Sequence, residues 1–259
     1  MYRVNKNLIV LVSSVFIFSC DSIEEEAAHI QLGAANELFS IAGLQYQQPF
    51  VVQVTDNDGN PVANSSVRIR VEPISYRKGT YVRLDQDAHL AITTADAVTW
   101  AQYYYEDDPL FVDDPLDPDD TPDQIFNSTT LTCSAEDTNN NAVLDAGEDN
   151  NNNGIIDPSN TATLTAHPSE EPTLNPLTNR VITDDSGFGY FSITYPETVA
   201  NWASVSIIAT TNVSGTESTQ TLDTFLSATL SDMEQVDISP PGGSTISPYG
   251  VANICTDPN

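Results

Sequence analysis

The chain has 259 residues, of which 37 are Asp or Glu and only 8 are Lys or Arg, for a formal net charge of -29. A surface of that sign repels phosphate backbones, which excludes nucleic acid as a partner, and it favours cations. Hydrophobic residues make up 39%, enough with strand-like patterning to build a core and exclude a fully disordered chain.

The N-terminus reads as an export signal. Arg3 and Lys6 precede an apolar run from Leu8 to Phe18, broken only by Ser13 and Ser14. That run suits a signal-peptide core and falls short of the roughly 20 residues a membrane-spanning helix requires. It ends in Ile17-Phe18-Ser19-Cys20, which resembles the lipobox of bacterial lipoproteins. The resemblance implies cleavage after residue 19 and a lipid on Cys20, with residues 20–29 as an acidic tether. The expected location is the cell envelope, with the acyl chains as the membrane contact.

From Ile30 onward the pattern is β. Ala34 to Leu44 reads as irregular or strand. Phe50 to Thr55 forms a strand, followed by the turn cluster Asp56-Asn57-Asp58-Gly59-Asn60-Pro61. Val67, Ile69 and Val71 then alternate with Arg68, Arg70 and Glu72, the period-two signature of a half-buried strand. The same grammar returns later in the chain. Asp184-Asp185-Ser186-Gly187 turns into Phe188 to Thr194, Val205 to Thr210 follows, and Thr219 to Leu230 supplies at least one further strand.

The stretch between these halves has its own character. Tyr76 to Tyr81 holds Arg77 and Lys78, a small basic cluster, and Trp100, Tyr103, Tyr104 and Tyr105 form an aromatic patch. Aromatics of this kind pack sheets or stack on sugar rings. Glu106 to Asp123 is acidic and proline-rich, and reads as an exposed loop.

Residues 133–160 are the most informative. Two units repeat with a period of twelve: Asp137, Asn139, Asn141, Asp145 and Asp149, Asn151, Asn153, Asp157. Oxygen side chains at positions 1, 3 and 5, a carbonyl at position 7 and a bidentate carboxylate at position 12 are how an EF-hand loop wraps calcium. In the first unit Val143 supplies position 7, Asp145 position 9 and Glu148 position 12; Leu144 is the apolar residue expected to pin the loop to the core. In the second, Ile155 supplies position 7. Ala142 stands where a glycine normally makes the sharp turn, position 12 of the second unit falls on Asn160, and Pro158 opposes an exiting helix. The arrangement therefore resembles the helix-free calcium repeats of thrombospondin type 3 and dockerin-like modules. The alternative is a solvated Asn/Asp-rich loop.

The flanking halves carry a second resemblance. Phe50 to Val71, with its V-x-V-x-D-x-x-G-x-P-V stretch, and Val181 to Ser218, with T-D-x-x-G before an alternating strand, resemble the two halves of an invasin/intimin-type (group 1) bacterial Ig-like domain. It implies an all-β fold, an Ig-like Greek-key β-sandwich, over residues 30–235. Residues 74–179 would then be a long insertion, with residues 236–259 as a tail. A broader likeness to uncharacterised exported Ig-like proteins covers Cys133 to Asp157, Thr183 to Gly187, Tyr195-Pro196 with Trp202, and Pro240 to Cys255.

With Cys20 lipidated, an oxidising compartment lets Cys133 and Cys255 pair. Two buried thiols are the alternative, and the exported family's two matching cysteines imply the pair. His29, His89 and His167 sit in unrelated contexts, and no phosphate loop or nucleophile motif is present. The expectation is a non-enzymatic, calcium-binding adhesion or interaction module with a protein or glycan partner. An accessory subunit of a pilus or secretion assembly is the second reading, and a carbohydrate-binding protein or enzyme the third. The anchor is tested directly: Cys20→Ser should move the protein from the membrane to the soluble fraction, and unchanged detergent partitioning would refute lipidation.

Overall fold

The computed structural model describes residues 29–84, 99–103, 131–159, 161–213, 216–234 and 240–259. Residues 1–28, where the signal and Cys20 are expected, and Tyr104, Tyr105 and residues 106–123, expected to be a loop, lie outside the described residues. Twelve strands run β1 (His29–Ala34), β2 (Phe39–Ile41), β3 (Gln45–Thr55), β4 (Ser66–Arg77), β5 (Thr80–Leu84), β6 (Thr99–Tyr103), β7 (Thr132–Ser134), β8 (Thr163–Thr165), β9 (Arg180–Ile182), β10 (Phe188–Pro196), β11 (Ala203–Val213) and β12 (Thr216–Phe225), before a one-turn helix α1 (Leu230–Glu234). They form an all-β sandwich of two five-stranded sheets. The first has the order β1-β3-β10-β8 with β2 also on β3, and the second β12-β11-β4-β7 with β9 also on β4. β5 and β6 make a separate antiparallel hairpin carrying Trp100 and Tyr103.

Alternation places the core. Tyr46, Phe50, Val52 and Val54 of β3 and Phe191, Ile193 and Tyr195 of β10 point inward from the first sheet, meeting Val67 and Ile69 of β4 and Val205, Ile207 and Ala209 of β11. Phe50 stacks on Phe191 at 5.5 Å between centroids, and Trp202 meets Tyr81 edge-on at 4.9 Å. Each buried aliphatic or aromatic side chain contributes on the order of 2 kcal/mol relative to exposure.

Pro49 sits inside the central strand β3, where a missing N–H normally breaks a ladder. It falls between β1, whose pairing ends at Phe50, and β2, whose pairing begins at Gln47. Its carbonyl accepts from Ala35 N–H on that side, so the absent donor faces the gap where one edge strand hands over to the next. The two turn motifs behave as read. Asp56 Oδ1 takes the N–H groups of Asp58 and Asn60, and Asp184 Oδ1 those of Ser186 and Phe188. Gly187 adopts φ 76, and a Cβ there would stand 2.5 Å from the Val54 carbonyl oxygen.

The described strands between residues 74 and 179 that follow β4 include members of both sheets. β4 runs on through Arg77, β7 pairs with that extension, and β8 pairs with β10 of the opposite sheet. Lys78 is likewise no exposed basic residue: it is buried, its ammonium donates to the Asp257 carbonyl, and burial pulls its pKa down against the pull of Asp257 and Asp157. The C-terminal tail crosses this point, held by Gly79 N–H on Gly250 O, Ser247 Oγ–H on Arg77 O, and the Cys133–Cys255 disulfide with Cα atoms 5.6 Å apart. The bridge spans a sequence separation of 122. By loop-closure entropy it contributes up to about 5 kcal/mol. Reduction, or Cys255→Ala, should lower the melting temperature by several degrees and release the tail to proteolysis; an unchanged melt would show that the tail is held by its hydrogen bonds alone.

Candidate metal centre

β7 belongs to one sheet and β8 to the other, so residues 135–159 are the crossing between them. No helix flanks this segment, in keeping with Pro158. The crossing consists of the two twelve-residue units, and their hydrogen bonds repeat position by position. At position 1, Asp137 Oδ1 accepts Asn141 N–H at 3.0 Å and Oδ2 accepts Ala142 N–H at 2.7 Å; Asp149 does the same for Asn153 and Gly154 N–H, both at 3.0 Å. At position 3, Asn139 Oδ1 takes Asn141 N–H, and Asn151 Oδ1 takes Asn153 N–H. At position 5, Asn141 Oδ1 takes Val143 N–H and Asn153 Oδ1 takes Ile155 N–H.

The backbone repeats as well. Positions 4 and 6 are left-handed in both units: Asn140 (φ 56) and Ala142 (φ 59), then Asn152 (φ 57) and Gly154 (φ 80). Asn enters that region readily, whereas Ala does so against its Cβ. Ala142 therefore adopts the bend that the motif requires of glycine. The N–H groups captured by Asp137 and Asn141 hold it there.

The first unit closes on the residue expected from the sequence, and the second on a residue the sequence reading did not name. Glu148 closes the first, its Oε1 accepting Thr138 N–H and Oγ–H and its Oε2 accepting Asp145 N–H at 3.0 Å. Asn160 lies outside the described residues, and the second is closed by Glu136, whose Oε1 accepts Asn150 N–H at 3.0 Å and Asn151 N–H at 3.3 Å, and whose Oε2 accepts Asp157 N–H at 3.0 Å. Each glutamate immediately precedes one unit and closes the other. The repeated Glu-Asp pair, Glu136-Asp137 and Glu148-Asp149, is the signal in the sequence that marks both.

The units differ in setting. Residues 139–143 of the first are exposed, while Asn151 and Asp157 of the second and both glutamates are buried. Leu144 is half-buried. The second unit is docked by polar contacts: the Asn151 side chain hydrogen-bonds Tyr76, whose hydroxyl is pushed up to about 12 by burial and by Glu136 and Asp157. Burial also raises the pKa of Glu136 against its backbone donors, whereas Glu148, with matching partners, is lowered by hydrogen bonds from Asp145 and Thr138. Val143 and Ile155, both at position 7, leave their side chains 57% and 58% exposed.

In each unit the amide nitrogens at positions 3 and 5 converge on the acid at position 9. Asn139 and Asn141 Nδ2 donate to Asp145 Oδ2 at 2.9 Å each, and Asn151 and Asn153 Nδ2 to Asp157 Oδ2 at 2.9 and 2.7 Å. Those donors lower the Asp145 pKa. Among the described residues no three His, Cys, Asp or Glu side chains converge as a metal-holding group; the oxygens here are shared between carboxylates, amides and carbonyls. Such a donor set fits a hard cation and not a soft one. Each Asn oxygen spends one lone pair on a backbone N–H and keeps the other. No family model matches the chain, and no characterised protein or solved structure matches it.

The backbone bend gives a stability test. Ala142→Gly should stabilise the fold by about 1 kcal/mol by relieving the left-handed Ala, and Gly154→Ala should destabilise it by a similar amount. Chemical denaturation reads both, and an Ala142→Gly variant less stable than the parent would contradict the strained bend.

Proposed function

We propose that the chain is an exported, lipid-anchored Ig-like module whose sheet-to-sheet crossing binds two calcium ions, and that it serves as an adhesion or interaction module at the cell envelope. The observation that carries the reading is the reciprocal closure of two matching units by Glu136 and Glu148. In the first unit Asp137, Asn139, Asn141, the Val143 carbonyl, Asp145 and Glu148 would hold the ion. In the second the corresponding groups are Asp149, Asn151, Asn153, the Ile155 carbonyl, Asp157 and Glu136. The amide N–H groups now facing Asp145 and Asp157 supply the neutralisation that a cation would replace.

Calcium tolerates this mixed and flexible oxygen set, whereas magnesium demands tighter octahedral geometry. Asn at positions 3 and 5 keeps the ligand charge low, which places affinity in the weak extracellular range of roughly 10⁻⁴–10⁻³ M. An ion bound only by the folded chain stabilises it by about 2.7 kcal/mol at a hundredfold excess over Kd. A stiffened crossing between the two sheets would present the sandwich to its protein or glycan partner as one rigid body.

Calcium titration followed by melting and calorimetry tests the reading. The parent should bind two ions, and Glu136→Gln and Glu148→Gln should each bind one. Asp137→Ala with Glu148→Ala should lose most of the first unit's shift, and changes in the 106–123 loop should lose none. If calcium shifts the melt no more than magnesium or matched ionic strength, the repeat is a hydrogen-bonded loop and not a cation site.

A further inference from the structure

We propose that His167 is the pin of an acid-released cover on the outer face of the first sheet. After β8 the chain folds back over residues 166–173 and meets β10 again through a parallel bridge from Thr173 to Tyr190. Tyr190 N–H donates to Pro172 O and Leu174 N–H to Tyr190 O. Residues 172–174 thus line the edge of β10, with Leu174 buried in the core, while Tyr190 points away from the core, since its neighbour Phe191 points in, and meets the turn through the His167 ring. Gln47 Nε2 holds the start of the turn through Ala166 O at 3.2 Å.

The turn is closed from within by one side chain. His167 N–H donates to Thr173 Oγ1 at 2.6 Å, and its Nδ1 accepts two backbone N–H groups, Glu170 at 2.9 Å and Ser169 at 3.3 Å. The ring lies edge-on to Tyr190 at 5.6 Å between centroids. A neutral imidazole accepts at one nitrogen only while the other carries the proton; the imidazolium donates at both. Protonation therefore sets an N–H against two N–H donors, and the ring must leave or the turn must open.

The charged surroundings do not reverse this. Glu170, on the turn itself, raises the imidazole's affinity for a proton, but burial is the larger effect and holds its pKa below the ordinary value. Glu171 is engaged with Thr173 N–H at 2.9 Å, and the Tyr190 hydroxyl, pushed up by burial and then by Asp184 and Glu170, is neutral across this range. The native state thus prefers neutral His167. Its contribution is complete above the unfolded value of about 6.5 and is lost as pH falls from there through the lowered native value.

Hydrogen exchange and a ring-proton titration of the whole exported domain test the latch. His167 should titrate below about 6.5, and opening of residues 166–171, corrected for intrinsic exchange, should rise about tenfold per unit of that lowering between neutral and acid pH. Segments in β3 and β10 should stay protected and report that the sandwich is intact. His167→Asn offers an Oδ1 that accepts without titrating, so it should keep the turn closed and remove its pH dependence; His167→Ala should open it at every pH. A titration at or above the ordinary histidine value, a His167→Asn protein with the parent's pH dependence, or a closed turn in His167→Ala would each overturn the proposal.

Discussion

A carboxylate with no exposed surface has to be compensated where it lies, because the charge cannot reach water and its desolvation costs several kcal/mol. Glu136 is such a group, and it takes the N–H groups of Asn150, Asn151 and Asp157. Those three donors lie fourteen or more residues further along the chain. Satisfying one side chain therefore fixes where the second unit sits and brings Asn151 onto Tyr76. The path from β7 to β8 follows, and with it the crossing between the sheets.

Around that point the other constraints are packed closely. Cys133, three residues before Glu136, sits opposite Tyr76 at the paired end of β4 and carries the disulfide to Cys255. Lys78 lies on the next turn of the same strand end, under the tail, within electrostatic reach of Asp157. One buried cation, one buried glutamate and one covalent bridge thus converge where both sheets, the insertion and the C-terminus meet. Lys78 is the one basic side chain buried at this corner among the described residues, against the acids Glu136, Glu148 and Asp157.

The two units show how one local geometry takes on different electrostatics from its setting. Hydrogen bonds at positions 1, 3, 5 and 9 match atom for atom, but Glu148 is held low by its donors while burial lifts Glu136. The first unit is open to solvent and the second is seated on the core. The exposed unit is joined to the buried one through the chain itself, since each closing glutamate is bonded directly to the first aspartate of the other unit.

Local rules made much of this legible in the sequence. Period-two alternation at Val67, Ile69 and Val71 and in Phe188 to Thr194 marked strands, because a pleat sends alternate side chains to opposite faces. Asp and Gly at fixed offsets marked the turns, and the twelve-residue spacing marked both units. Cys133 and Cys255 were also readable as a candidate pair. Tertiary structure alone decided the rest. Pro49 is tolerated in a central strand only because β1 and β2 meet beside it, and Lys78 is buried only because the tail folds over it. Glu136 stands one residue outside the motif to which it would belong by position. Which loop a glutamate closes depends on how two units face each other in space, and no local period along the chain carries that information.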